Sequence, residues 1–222
     1  MPKYINVLFD LDGTITDSAP GIINGVLYGI KKINEVYNLN INIPDNDTLR
    51  KFIGPPLDAS FKKYCLDDEK LSFDFIKFYR EDYNGNDGLF NCKLYDGIYD
   101  LIKTLYENNY RVFLATAKPK ESALRIIEHF SMTNFFTNFY APILGGKIKT
   151  KLDVLKEALK KENFEKDKTI MIGDRIDDID AAKNVGIDSI AVKYGFGNDE
   201  EFKNASYIVN NTKEIFDILS IK

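Results

Sequence analysis

Val7-Leu8-Phe9-Asp10-Leu11-Asp12-Gly13-Thr14 joins an apolar run of strand-forming residues to two carboxylates, a glycine and a hydroxyl. In an extended chain, residues two apart point the same way, so Asp10 and Asp12 are expected to project together just past the end of a strand. In an open parallel sheet that is where ligands bind. Asp-Gly is also ordinary turn chemistry, and the rest of the chain decides between the two readings.

The chain has 222 residues, 44% of them hydrophobic and 29% charged. This suits one large domain, or a core with a smaller inserted one. A formal net charge of -4 argues against nucleic acid as the main partner. No apolar run approaches the roughly 18 residues of a membrane span. The chain also enters its first strand without a signal-peptide pattern, so the expectation is a cytoplasmic protein, monomer or homodimer, with no membrane partner. Cys65 and Cys92 lack metal-ligand spacing and read as buried or idle thiols. The single histidine, His129, falls near the C-terminal end of an expected helix, where a cation is favourable. Acid-base chemistry is then left to carboxylates or lysine.

Working outward from the opening stretch, the first strand is expected over 4–9. A helix follows from an Asp17-Ser18 cap with Pro20 just inside it. Its apolar stripe runs through Ile22, Val26, Ile30 and Ile33, with Gly25 and Gly29 weakening it or permitting close packing. Asn38 to Asp47 is polar and turn-rich. From Thr48 to about Phe90 the pattern is helical, interrupted by the stiff loop Gly54-Pro55-Pro56-Leu57 and closed by a turn cluster over 83–87. Phe61, Phe73, Phe75, Phe78 and Tyr79 are expected in the core of a small bundle. This helical stretch of about 70 residues exceeds an ordinary crossover and implies an inserted subdomain.

Strand and helix then alternate. A helix on Ile98, Leu101, Ile102 and Leu105 leads to a strand over 110–115 that closes on Thr116. Pro119 opens the next helix, and a short strand is expected at 139–141. A helix over 152–161 follows, with Glu157 and Lys161 spaced for an ion pair. The strand 169–172 closes on Gly173-Asp174, and a helix over 179–185 is stopped by Gly186. Strands at 189–192 and 207–209 and a helix at 215–219 complete the chain. The expected fold class is α/β, a doubly wound parallel sheet over 1–16 and 91–222 with a helical subdomain over 17–90.

Three expected strands therefore end in functional groups on one sheet edge: Asp10 and Asp12, Thr116, and Asp174 with Asp178 four residues on. Such carboxylates raise one another's pKa unless a cation is present, and oxygen ligands suit Mg²⁺. Asp10 and Asp174 are the natural carboxylate ligands, completed by a backbone carbonyl and waters. Asp178 either binds the metal directly or orients a neighbour, and Asp177 is expected to face solvent. Acids around a metal, without a serine or histidine nucleophile, point to phosphoryl chemistry. Asp10 is placed to attack phosphorus, and Asp12 to protonate the leaving oxygen and later to activate water. Thr116 offers a hydroxyl to the transferred group. A lysine must come from Lys147, Lys149 or Lys151, and Lys151 at the start of its helix is preferred.

These segments resemble the motifs of the haloacid dehalogenase superfamily of phosphotransferases. Asp10-Leu11-Asp12-Gly13-Thr14 is similar to its first motif, Thr116 after Val112-Phe113-Leu114-Ala115 to its second, Lys151 to its third, and Gly173-Asp174-Arg175-Ile176-Asp177-Asp178 to its fourth. The resemblance spans essentially the whole chain. It implies a Rossmann-like core and a helical cap inserted after the first strand. It also implies Asp10 as nucleophile, Asp12 as acid-base residue, and Mg²⁺ held by Asp10, Asp174 and the Asp12 carbonyl. An aspartate at position 12 favours phosphate over carbon-halogen chemistry. Phe52-Ile53-Gly54-Pro55-Pro56-Leu57 and Gly173-Asp174-Arg175 resemble the phosphoglycolate phosphatase-like branch, which includes 5′-nucleotidases and pyrophosphatases. The expected substrate is then a small phosphorylated metabolite, met by Thr116, Ala117, Lys118, Arg50 and Gly54. A phosphomutase and a non-catalytic phosphate-sensing module are the alternatives.

Overall fold

The computed structural model describes residues 2–55, 57–85, 88–143 and 145–220. The chain divides into two compact units, Met1–Asp17 with Leu94–Lys222, and Ser18–Lys93.

The first unit is built on six parallel strands. They are β1 (Asn6–Phe9), β4 (Arg111–Ala115), β5 (Asn138–Tyr140), β6 (Thr169–Gly173), β7 (Asp188–Val192) and β8 (Tyr207–Val209), in the order β5-β4-β1-β6-β7-β8. Two shorter strands, β2 (Thr16–Asp17) and β3 (Lys93–Leu94), pair where the chain leaves and re-enters this unit. β1 and β6 are buried along their whole length, and this is why they read as unbroken apolar runs rather than alternating ones. Connections run outward from β1 to β4 and β5, then return to its other side for β6, β7 and β8. Strand order therefore reverses at β1, the topological switch point beside which open α/β sheets bind ligands. The register sets Phe9 abreast of Leu114 and of Ile172. Asp10, Thr116 and Asp174 consequently all fall within two residues of one level.

The helices of this unit are α5 (Ile98–Glu107), α6 (Lys120–His129), α7 (Lys151–Glu162), α8 (Ile176–Val185) and α9 (Thr212–Leu219). Each coincides with an expected helix, at most three residues longer at either end. Pro119 precedes α6, Gly186 closes α8 in the left-handed region at φ 78°, and Glu157 pairs with Lys161. His129 lies in the last turn of α6, edge-on to Phe130.

The second unit holds α1 (Ala19–Tyr37), α2 (Asn46–Arg50), α3 (Leu57–Tyr64), α4 (Glu69–Gly85) and a 3₁₀ turn at Gly88–Phe90. α1 packs along α4 through Gly25 and Gly29. A Cβ on Gly25 would lie 2.8 Å from the Tyr79 ring, and one on Gly29 2.8 Å from the Phe75 ring. Phe61 stacks on Phe75 at 4.5 Å, and Tyr79 on Tyr83 at 5.1 Å.

Four local expectations need correction. Phe73 is 75% exposed, because it sits about 200° around α4 from buried Phe75 at 3.6 residues per turn. Asn38–Asp47 is not all turn, since Asp45 accepts a hydrogen bond from Thr48 N (2.8 Å) and starts α2 at Asn46. Ser18 occupies the N-cap of α1 at φ -97°, ψ 3°, off the extended geometry of a capping residue, and its hydroxyl makes no capping bond. The expected turn from Tyr83 is still helix as far as Gly85. Asn86 and Asp87 from that turn, and Pro56 from the stiff loop, lie outside the described residues. Cys65 and Cys92 are half-buried and form no disulfide with each other, and no described helix is long and apolar enough to cross a membrane.

Candidate active site

Beyond Phe9 the chain folds back on itself at once. Asp10 N donates to Ile172 O (2.9 Å), keeping the acid in register with β6. Ile15 N and Thr16 N both donate to Leu11 O (2.9 Å), and Gly13 N donates to Thr16 O (2.8 Å). Gly13 has φ +85°, and a Cβ there would lie 2.1 Å from Asp174 Oδ2. Glycine is thus required twice at this position, by backbone conformation and by the neighbouring carboxylate. Asp10 emerges 8% exposed.

The neighbouring strand ends add their groups. Thr116, buried after β4, is held by Thr116 N donating to Tyr140 O (3.1 Å). Its hydroxyl favours the charged form of the Asp10 carboxylate. Asp174, fully buried after β6, accepts from Phe196 N (2.7 Å) and from the Thr14 hydroxyl (3.3 Å). Asp178 occupies the first turn of α8, where a carboxylate is favoured, and accepts from Arg175 N (3.1 Å).

Lys151 opens α7, whose N-cap Thr150 accepts from Asp153 N while Asp153 accepts from Thr150 N, a reciprocal box. Its ammonium lies 2.6 Å from Asp10 Oδ1 and 2.7 Å from Asp178 Oδ1, and donates to Ala115 O (3.0 Å). Lys147 and Lys149 are exposed. Lys118 Nζ donates to both carboxylate oxygens of Asp12, at 3.0 and 2.8 Å. Ala117 is exposed beside it, and Asp177 is exposed on α8. Arg50 and Gly54 belong to the second unit, Arg50 as the exposed last residue of α2 and Gly54 in the following loop at φ +102°.

Burial dominates the electrostatics. It pushes the Asp10 carboxyl up to about 6, with the Asp178 charge adding to the rise and Lys151 and Thr116 opposing it. Asp174 is raised well above the carboxylate range by burial, then by Asp178 and Asp10. Burial also disfavours a charged Lys151, but Asp10 and Asp178 outweigh it and hold the ammonium charged.

Two buried acids, Asp10 and Asp178, thus share one buried ammonium, and oxygens of Asp10, Asp174 and Asp178 all lie within 4.8 Å of one another. Asp10 Oδ1 and Asp178 Oδ1 meet Lys151 at ion-pair distance, yet neither accepts a well-directed hydrogen bond. Lone pairs therefore remain aimed into the cluster, and an all-oxygen donor set with spare negative charge fits a hard divalent cation.

Sequence reasoning missed the Phe196 amide, the Thr14 hydroxyl and Tyr194, whose hydroxyl donates to Thr14 O (3.2 Å). The available signal was Gly195-Phe196-Gly197 just after an expected strand, a pattern that marks close backbone approach. A cavity of about 260 Å³ between β5 and α7, lined by Tyr140, Ile143, Lys147, Ile148, Glu157 and Lys161, contains none of these acids.

Residues 7–192 match the family model of haloacid dehalogenase-like hydrolases. The chain is 34% identical over 201 residues to a 5′-nucleotidase of Pseudomonas aeruginosa, covering 90% of this chain and 88% of that one. It is 32% identical over 203 residues to the tyrosine-protein kinase PtkA of Mycobacterium tuberculosis, covering 91% of this chain and 67% of that one. The crystal structure of a predicted phosphatase from Clostridium acetobutylicum superposes with a TM-score of 0.85 at 41% identity, over 96% of this chain and 97% of that one. The chain belongs to the haloacid dehalogenase-like hydrolase family and is a hydrolase of phosphate esters.

Proposed function

We propose that the protein is a Mg²⁺-dependent phosphatase of small phosphomonoesters working through an aspartyl-phosphate on Asp10. The observation that carries this reading is the convergence of Asp10, Asp174, Asp178 and Lys151 on one buried spot at the switch point of the sheet. Asp10 and Asp174 would hold Mg²⁺ with the Asp12 carbonyl, and Asp178 would either join them or orient them. The ion supplies neutralising charge between a carboxylate nucleophile and an anionic ester.

A carboxylate oxygen of Asp10 attacks phosphorus, and the bond from phosphorus to the ester oxygen breaks. That oxygen leaves with a proton from Asp12. Water then attacks the phosphoryl-Asp10, giving its proton to Asp12 and releasing phosphate. The Thr116 hydroxyl steadies the phosphoryl oxygens, and Lys151 offsets charge on the nucleophile. Arg50 and Gly54 of the helical unit, with Ala117, are the candidates for reading the rest of the substrate.

Among esters, a nucleoside 5′-monophosphate is favoured by the relationship to the Pseudomonas aeruginosa 5′-nucleotidase, ahead of phosphoglycolate. The relationship to PtkA supports a second reading, transfer of the phosphoryl group to an acceptor other than water. The test is phosphate release from nucleoside monophosphates, phosphoglycolate, sugar phosphates and p-nitrophenyl phosphate with Mg²⁺. Release is expected to cease with chelator and in Asp10→Asn. Full activity of Asp10→Asn rules the mechanism out, and a phosphorylated product without free phosphate supports transfer instead.

A further inference from the structure

Lys118 stands two residues beyond Thr116, on the loop that leaves β4. Its side chain is 6% exposed, unusually covered for lysine. The ammonium meets both oxygens of Asp12, at 3.0 and 2.8 Å. The same residue's N–H donates to the Thr116 hydroxyl oxygen (3.2 Å), and that hydroxyl favours the charged form of Asp10. One short segment therefore stands beside both the nucleophile and the second aspartate, and Lys118 lies 106 positions from Asp12 in sequence.

Asp12 has a short side chain 20% exposed at the rim of the cluster, and its backbone is tied down by the bridge to Thr16. Its carboxyl is free to turn about two side-chain torsions unless something holds it. A two-point contact from a covered ammonium does so, because the lysine stem has itself lost its rotamer freedom on burial. Charge balance alone would be met by an ammonium touching either oxygen. Gripping both selects one orientation of the carboxyl.

We propose that Lys118 is a positioning residue that fixes the Asp12 carboxyl in the orientation used for proton transfer to the leaving group. The proposal rests on Asp12 being the proton donor, and the test separates the two claims. It uses kcat/KM for paired substrates, an alkyl ester such as a nucleoside 5′-monophosphate and 2,4-dinitrophenyl phosphate. The phenolate of the second departs without a proton, so only the first depends on a well-placed acid.

In Lys118→Met the alkyl ester is expected to lose about 10- to 100-fold, the scale of a misplaced catalytic group. The dinitrophenyl ester should lose less than about 3-fold. Lys118→Gln, which keeps most of the stem, is measured alongside in case the methionine variant fails to fold. Lys118→Arg, which restores a two-point grip, is expected to recover most of the loss. Asp12→Asn should discriminate between the esters in the same direction, and adding Lys118→Met to it should cost little more. Equal losses on both esters in the Lys118 variants, or a change in KM alone, overturn the positioning role while leaving Asp12 as donor. Absence of discrimination in Asp12→Asn overturns the donor assignment itself.

Discussion

Lys151→Met removes the one buried cation shared by Asp10 and Asp178, and its cost can be worked from the contacts. The ammonium sits 2.6 and 2.7 Å from two carboxylates in a side chain only 4% exposed. Removing one partner of a buried pair typically costs about 3–5 kcal/mol, because the charge left behind is uncompensated. At about 2–4 °C per kcal/mol for a chain of this size, the metal-free variant is expected to melt roughly 6–20 °C lower near pH 8. The deficit must depend on pH. Asp10 titrates at about 6 in the folded protein against an ordinary value of 3.8. Between those values the native state binds more protons than the unfolded one, so Asp10 favours folding below the window and loses that contribution as pH rises through it. Without Lys151 the folded value climbs further and the window widens upward. The gap between wild type and variant should therefore be smaller at pH 5.5 than at pH 8, and Mg²⁺ should narrow it by replacing the missing charge. The assay is thermal unfolding by circular dichroism across pH 5–8, with and without Mg²⁺. Equal melting temperatures at pH 8, or a deficit that does not change with pH, would refute this account of the cluster.

Gly13→Ala is expected to destabilise the protein by more than about 2 kcal/mol in urea denaturation, because the new methyl meets Asp174 Oδ2 at 2.1 Å on a backbone already at φ +85°. An unchanged midpoint would show that the loop relaxes freely. Glu162→Gln should flatten the acid limb of stability. Burial raises this carboxyl, but hydrogen bonds from Tyr140 and Asn138 and the Arg111 charge outweigh it and hold the group below its ordinary 4.5. Its contribution is therefore present above that value and lost as pH falls toward and through the folded one. Melting temperatures of the two proteins should converge as pH drops from 5 to about 3, and parallel curves would count against the network.

The strands that carry the cluster were legible because a fully buried parallel strand needs a continuous apolar run, and the breaks in those runs at Asp10, Thr116 and Asp174 mark the sheet edge where water and ligands begin. The helices of the sheet unit were legible for the same local reason, through their periodicity and caps. Phe73 was misread because aromatic content was counted without its angle on α4, which carries it away from the face that holds Phe75. The Phe196 amide was not legible, since a backbone donor leaves no mark on residue identity beyond the glycines that flank it.

By itself the sequence determined the alternation of elements and the acids that terminate strands, both of which follow from local apolar patterning, and it carried the first and fourth motifs as a resemblance. Only the tertiary structure decided which lysine serves the cluster. Lys147, Lys149 and Lys151 are two apart and share a face in an extended chain, so spacing alone cannot choose among them. The box at Thr150 turns the chain into α7 and buries Lys151 alone of the three. The grip of Lys118 on Asp12 was likewise invisible, because it joins the ends of two adjacent strands that sequence separates by 106 positions. A contact of that kind arises from sheet order, which no local pattern encodes.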